Sequence, residues 1–302
     1  SFGGSYVDGL TSPVNYRYEP FGAERLDVFR GPTSALYGQS DPGGMVNRTT
    51  KRPTDEFQGE LQLQGGNFDR RQAAADISGP IDADKRFLYR FTGLVREADA
   101  PTDYDFGRNE PDDRTYIAPA FTVRPTHDTT FTLLTSHLEE KLDSVSVVRD
   151  ENGDMTKINL DQPGIGTYEA EQSQIGYAFE QRFSDGLEIR QNARWSTLEV
   201  DNLGFYQDSI DPATTTVNRS VAGFSEERED FAIDTHVEGK VQTGMVRHTL
   251  LAGIDYQKLK DNYSFSWGLA PSLNYANPDY NQDFTVPDDY LHDDSETDTV
   301  GV

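Results

Sequence analysis

The stretch Phe231-Ala232-Ile233-Asp234-Thr235-His236-Val237-Glu238-Gly239-Lys240-Val241 decides how the rest of the chain is read. Phe231, Ile233, Val237 and Val241 occupy alternate positions, and Asp234, His236, Glu238 and Lys240 fall between them. Successive side chains of a strand point to opposite faces, so the stretch predicts a strand with one apolar and one strongly polar face. The same alternation recurs at 57–64, 174–183 and 187–195. Segments beginning near Phe57, Arg71, Phe87, Thr115, Thr129, Gln174, Leu187, Phe231 and His248 bring the count to nine, those at Thr115 and Thr129 alternating less cleanly. No helical pattern competes after Thr54.

The links between these segments alternate in length. Short ones at 79–86, 125–128, 184–186 and 242–247 take turns with long ones at 97–114, 139–171, 199–230 and from 259 to the end. The short links carry turn residues, as in Ser184-Asp185-Gly186. An antiparallel meander puts alternate connections at opposite ends, so short turns gather on one rim and long loops on the other. That segregation describes a transmembrane barrel, in which the apolar face meets lipid and the polar face lines a lumen. A soluble β-sandwich gives no reason for it and stands as the alternative.

Composition agrees. Only 35% of the 302 residues are hydrophobic. No stretch reaches the roughly 18 to 20 apolar residues of a membrane helix, whereas barrel strands need only about 9 to 11. The absence of cysteine excludes disulfide and thiol chemistry, and a net charge of −25 argues against nucleic acid as a partner. The acidic residues gather in the long links, notably 99–113 and 279–298, where they solvate loops or bind divalent cations bridging to lipopolysaccharide. The five histidines show no zinc-ligand spacing, Asp150 to Asp154 reads as a solvated turn, and Gly164-Ile165-Gly166 lacks the surroundings of a nucleotide motif. Nothing points to an enzyme. Nine strands cannot enclose a wide lumen, so the chain is expected to be a piece of a longer protein, ending inside a loop at Val302.

The first 53 residues differ in texture, being rich in Gly, Pro and Tyr. They contain Glu24-Arg25-Leu26-Asp27-Val28-Phe29-Arg30-Gly31-Pro32, then Ser34-Ala35-Leu36-Tyr37-Gly38 and Pro42-Gly43-Gly44, then Val46-Asn47-Arg48-Thr49-Thr50-Lys51-Arg52-Pro53. This run resembles the C-terminal half of the plug domain of TonB-dependent receptors, most closely the ferric-siderophore branch. Gly79-Pro80-Ile81, Ala118-Pro119, Arg124-Pro125-Thr126 and the segment Thr249 to Tyr256 are similar too. Asp27 and Arg48 depart from the pattern, the latter taking a position that is usually apolar.

The resemblance implies an all-β-dominated fold: part of a mixed α/β plug over 1–53, then about nine strands of a larger antiparallel barrel of roughly 22 strands over 54–302. It implies an outer-membrane receptor that binds ferric siderophores and imports them into the periplasm with energy from TonB, which engages a segment upstream. Iron arrives inside its ligand, and the protein holds no cofactor of its own. Outer-membrane lipid and lipopolysaccharide are the other expected partners. A haem, cobalamin or glycan receptor is the alternative within the class, and a passive porin-like channel lies outside it. Ligand contacts fall on Tyr16 and Tyr18 in the plug and on Phe205, Tyr206 and Trp267 in the loops, with Tyr263 and Phe265 beside them. Packing at a plug–barrel seam competes for the first two, and the outer aromatic girdle for the rest. Glu24, Arg25 and Arg30 are read as plug–barrel docking residues. The two arginines are placed on one face of a strand, opposite wall carboxylates such as Glu60, Asp76 or Glu180.

Overall fold

The computed structural model describes residues 5–13, 16–31, 44–100, 111–143, 146–162 and 165–302. Val14-Asn15, the motif from Pro32 to Gly43, Gly164 and most of the acidic link 99–113 lie outside the described residues. The chain forms two main sheets, the first ending at Thr50 and the second beginning at Gln58.

The first sheet comprises β1 (Ser5–Val7), β2 (Leu10–Ser12), β3 (Ala23–Arg30) and β4 (Gly44–Thr50), in the order β2-β1-β4-β3, with β1 parallel to β4. Asp8 and Gly9 link β1 to β2 with φ of 53° and 83°. Positive values at both positions match the twist that a two-residue hairpin needs. The Asp8 carboxylate then accepts from the Thr50 amide at 3.0 Å and the Thr50 hydroxyl at 2.7 Å, tying the turn to β4. Arg48 settles its unusual position by lying over the Tyr18 ring, 4.7 Å from the centroid, and donating to the Ser5 hydroxyl at 3.1 Å.

The second sheet is a ten-stranded antiparallel meander. Its strands are β5 (Gln58–Gly65), β6 (Arg71–Pro80), β7 (Phe87–Glu97), β8 (Asp112–Thr126) and β9 (Thr129–Asp143), then, after a small side hairpin of β10 (Val147–Arg149) and β11 (Met155–Asn159), β12 (Thr167–Ser184), β13 (Leu187–Asp211), β14 (Thr216–Thr243), β15 (Val246–Asn274) and β16 (Asp289–Gly301). All nine segments read from alternation are strands. The tenth, β16, corrects the expectation that the chain ends inside a loop. Its acidic sequence has no apolar face to reveal it, yet it pairs with β15 and is held there by Lys258–Glu296 and Tyr256–Asp298 contacts, each at 2.5 Å.

The long link 199–230 is corrected as well: it is mostly strand, because β13 and β14 stay paired up to Asp211 and Thr216. Side chains on β13 that point away from the first sheet are Leu187, Ile189, Ala193 and Trp195, then Thr197, Glu199 and Asp201. The neighbouring strands switch at the same level, at Ile175 to Ser173 and at Phe231 to Glu229, which pair directly with this row. The apolar band is thus about nine residues tall on each strand, the length that crosses a bilayer. Beyond it, 196–211 adds roughly 50 Å of strand at about 3.3 Å per residue, a turret standing clear of the lipid.

Phe91 points outward in the middle of the band on β7 and is exposed. Phe91→Arg should lower folding stability in lipid vesicles by about 2 to 4 kcal/mol. Glu199→Arg, above the band, should change it by less than about 1 kcal/mol. Urea titration of vesicle-inserted protein reads both.

Candidate functional site

The face of the ten-stranded sheet that carries Asp76, Arg90, Arg194 and Asp230 is the lumen face, and the small sheet docks on it through three groups of charges. In the first, Arg90 grips Asp76 with two parallel hydrogen bonds of 2.9 and 2.7 Å. It also meets Glu24 at 3.1 Å and the Arg52 carbonyl at 2.9 Å, while Lys51 meets Asp76 at 2.8 Å. In the second, four charges form a chain: Glu19 to Arg114 at 2.7 Å, Arg114 to Glu140, and Glu140 to Arg17 at 3.3 Å. Gln172 reads the Arg17 backbone as a strand would, accepting from its amide at 2.9 Å and donating to its carbonyl at 3.2 Å. In the third, Arg194 is paired with buried Asp230 at 3.2 Å and donates to the Thr11 carbonyl at 2.5 Å.

Between these groups lies an apolar socket of Ala74, Leu94, Tyr116 and Leu138 that receives Phe21. Phe21 belongs to a single 3-10 turn, Pro20–Gly22, capped by the Glu19 carboxylate. Gly22 is demanded by close approach, because a Cβ there would overlap the Tyr116 hydroxyl.

The sequence-predicted docking residues are divided by this geometry. Glu24 meets the wall at Arg90. Arg25 is exposed and pairs within its own strand, with Asp27 at 2.8 Å, and Arg30 is exposed too. The expectation that both arginines share a face is wrong, since five positions without a bulge between them place the two on opposite faces of β3. Their expected partners are otherwise engaged: Asp76 by Arg90 and Lys51, Glu180 by Arg182 and Arg190, and Glu60 by Gln62.

The expected ligand contacts divide as well. Tyr16 is 7% exposed, packed among Ala170, Leu198 and Val200, and donates to the Ser196 carbonyl at 3.2 Å. It is a seam residue in this structure. Tyr18 is half-buried beneath Arg48. Burial raises the phenol pKa of Tyr6 and Tyr18, and pushes that of Tyr16 up to about 12. Phe205 is fully buried and faces outward on the turret, against Phe284 and beneath Arg219. Tyr206, one residue on, points to the lumen and is 45% exposed, as is Trp267 at 47%.

Register extends this lumen patch. Trp267 pairs with Ala222, Phe265 with Phe224 and with Leu291, and Leu269 with Ser220 beside Tyr206. Leu269 and Leu291 are exposed and were not read from the sequence, and Arg17, stacked 4.5 Å from the Tyr168 ring centroid, was missed with them. Above the lipid band the apolar side chains change faces, from Trp195 outside to Leu198 and Val200 inside, and that flip was the available signal. Asp150 accepts from the amides of Asn152 and Asp154, each at 2.9 Å, a self-contained turn. Among the described residues no cluster could hold a metal ion.

A polar-walled, lipid-banded sheet with a small sheet docked on its lumen face defines a plugged outer-membrane β-barrel. No protein-family model matches the chain. It is 31% identical to the ferrichrome outer membrane transporter/phage receptor of Escherichia coli K12 over 313 aligned positions, 93% of this chain and 41% of the relative. It is 30% identical to the ferrioxamine B receptor of Salmonella typhimurium LT2, covering 91% of this chain and 40% of that one. The chain therefore spans about 40% of the length of the curated relatives it matches. These relatives are receptors and transporters, not enzymes. Among solved structures, the pyoverdine receptor FpvA of Pseudomonas aeruginosa PAO1 matches with a TM-score of 0.84 at 17% identity, over 98% of this chain and 46% of that one. The ferric-catecholate import receptor Fiu of E. coli K12 matches with a TM-score of 0.80 at 18% identity, over 98% and 49%. The chain belongs to the TonB-dependent outer-membrane receptors.

Two outcomes test the seam. Gly22→Ala should loosen the small sheet and expose residues 16–31 to protease while the barrel strands stay protected. The Tyr16 phenol keeps its proton to about pH 12 when docked but only to about 10 when released. Docking is therefore strongest below pH 10 and loses about 2 to 3 kcal/mol as pH rises from 10 to 12. Tyr16→Phe should flatten that slope, read as protease sensitivity against pH.

Proposed function

We propose that the chain forms the plug end and first barrel strands of a receptor that captures a ferric siderophore in the vestibule above the plug and imports it into the periplasm. Residues 1–53 are the C-terminal half of the plug and 54–302 the N-terminal part of the barrel. The observation that carries this reading is the exposed apolar patch of Tyr206, Trp267, Leu269 and Leu291, which faces the lumen over a plug held by polar contacts. Broad, stiff rings with polar tips suit a bulky, weakly hydrated chelate. The ferrichrome and ferrioxamine B receptors among its relatives add support for siderophores over haem, cobalamin or glycans. Iron enters as cargo within the chelate, not as a resident metal.

Energy comes from TonB, which engages the receptor outside the residues described. A plug fixed by re-solvable charge contacts is suited to rearrangement under pull, and that separates this receptor from an open porin. The acidic row above the lipid band, Glu139, Glu171, Glu199 and Glu227 paired directly across four strands, is consistent with outer-membrane lipid and lipopolysaccharide as the surrounding partners.

Ferrichrome and ferrioxamine B, titrated onto the whole receptor, are the probes. At least one should bind, and Tyr206→Ala or Trp267→Ala should weaken it about 10-fold or more, as expected for exposed aromatic anchors. Trp195→Phe, on the lipid face, should leave binding unchanged. Failure of both chelates to bind sinks this reading.

A further inference from the structure

We propose that Arg219 is the positioning residue that locks segments 146–162, 203–221 and 270–284 into one rigid extracellular cap, which presents Tyr206 and Trp267 to the chelate in a preformed geometry. The ligand half of this statement rests on the function proposed above.

Arg219 is 1% exposed, the largest fully buried side chain described. Its guanidinium reaches three acceptors in three segments: the Leu160 carbonyl at 2.5 Å, the Pro271 carbonyl at 2.8 Å and Gln282 Oε1 at 2.7 Å. Its plane lies over the Phe205 ring, 4.7 Å from the centroid. Only a planar fork with five donors serves acceptors in such different directions and stacks at the same time. Burying a cation is costly, and here that cost is set against three hydrogen bonds that an apolar side chain could not make. The Asp161 charge, next to Leu160, offsets part of that cost.

Arg219 also sits where the ladder breaks on both sides. The β13–β14 register shifts between Gln207 and Ser209, and the β14–β15 register between Val217 and Arg219. Pro271 lies inside the second irregularity, and its carbonyl is one of the three acceptors. Bulges re-aim the side chains beside them, and here the first begins one residue after Tyr206. Without a tie, both irregularities would let the strand tips swivel.

Other bonds join the same segments. Asp161 accepts from the Phe205 amide at 2.5 Å and from the Ser146 amide at 2.9 Å, and Gln162 donates to the Gln282 carbonyl at 2.8 Å. Val148, Leu160, Phe205, Val217, Val221 and Leu273 close into a core with no exposed member. The cap backs the turret on its outer face, directly behind the wall that carries Tyr206 and Trp267. This side of the vestibule thus pays little ordering entropy on binding.

Hydrogen–deuterium exchange on the whole receptor, with and without Arg219→Met, tests the cap. Amides in 146–162 and 275–284 should exchange at least about 10-fold faster in the variant, while β7 to β9 keep their protection and the melting temperature stays within a few degrees. Arg219→Lys restores charge but not the fork, and should exchange as fast as the methionine variant. Ferrichrome or ferrioxamine B binding should weaken about 10-fold, and Tyr206→Ala should cost less in the Arg219→Met background than in the wild type. Unchanged exchange in Arg219→Met, or free exchange already in the wild type, overturns the cap. Additive effects of Arg219→Met and Tyr206→Ala overturn the positioning role. If the wild type binds neither chelate, the functional reading fails, and exchange alone decides the cap.

Discussion

Inside hydrocarbon a backbone amide has no water to turn to, and a strand can satisfy it only through the strand beside it. That constraint fixes the strand-to-strand pairing that runs from β5 to β16, the outward apolar band some nine residues tall and, by default, the polarity of the inner wall. Because lipid claims the apolar side chains of each strand, the lumen inherits Asp76, Arg90, Arg194 and Asp230. Whatever docks inside must meet charges, and the small sheet does so with Glu19, Glu24, Lys51 and bare carbonyls. Its apolar anchors, Phe21 and Tyr16, each need one of the apolar sockets that the wall provides.

The strength of such a seam is unusual in kind. A buried ion pair adds little net stability over an apolar contact, but losing one partner is costly because the other charge is left dry. The Glu19–Arg114–Glu140–Arg17 chain therefore resists piecemeal loosening. Water entering the whole seam at once re-solvates every member and removes that penalty. The seam is stiff against small fluctuations and permissive to one concerted opening.

The band was legible in the sequence because one chemical contrast, lipid against lumen, repeats with a period of two. The turret was not, because above Trp195 both faces meet water or protein. The apolar side chains then pass from odd positions to even ones, Leu198 and Val200, and the pattern reads as noise. β16 was hidden by acidity on both faces. Tyr206 and Trp267 could be named as aromatic loop residues, yet Phe205 could not be told from Tyr206, since which of two adjacent rings turns inward depends on register. Arg219 gave no signal, because its three acceptors lie 52 to 63 positions away along the chain.

The register shifts have a distribution worth following into evolution. In the large sheet they fall at Val123/Thr126 and Arg182/Ser184, beside the short turns, and at Gln207/Ser209, Val217/Arg219 and Phe265/Ser266, in the turret. Among the described pairings, none falls within the lipid band. A single inserted or deleted residue there would exchange the lipid and lumen faces of everything beyond it, so length variation in the band is confined to pairs of residues or to none. Turret and turns face no such rule. Lineages under attack from outside the cell can lengthen, shorten and re-aim these parts one residue at a time, while the wall beneath drifts only by substitution.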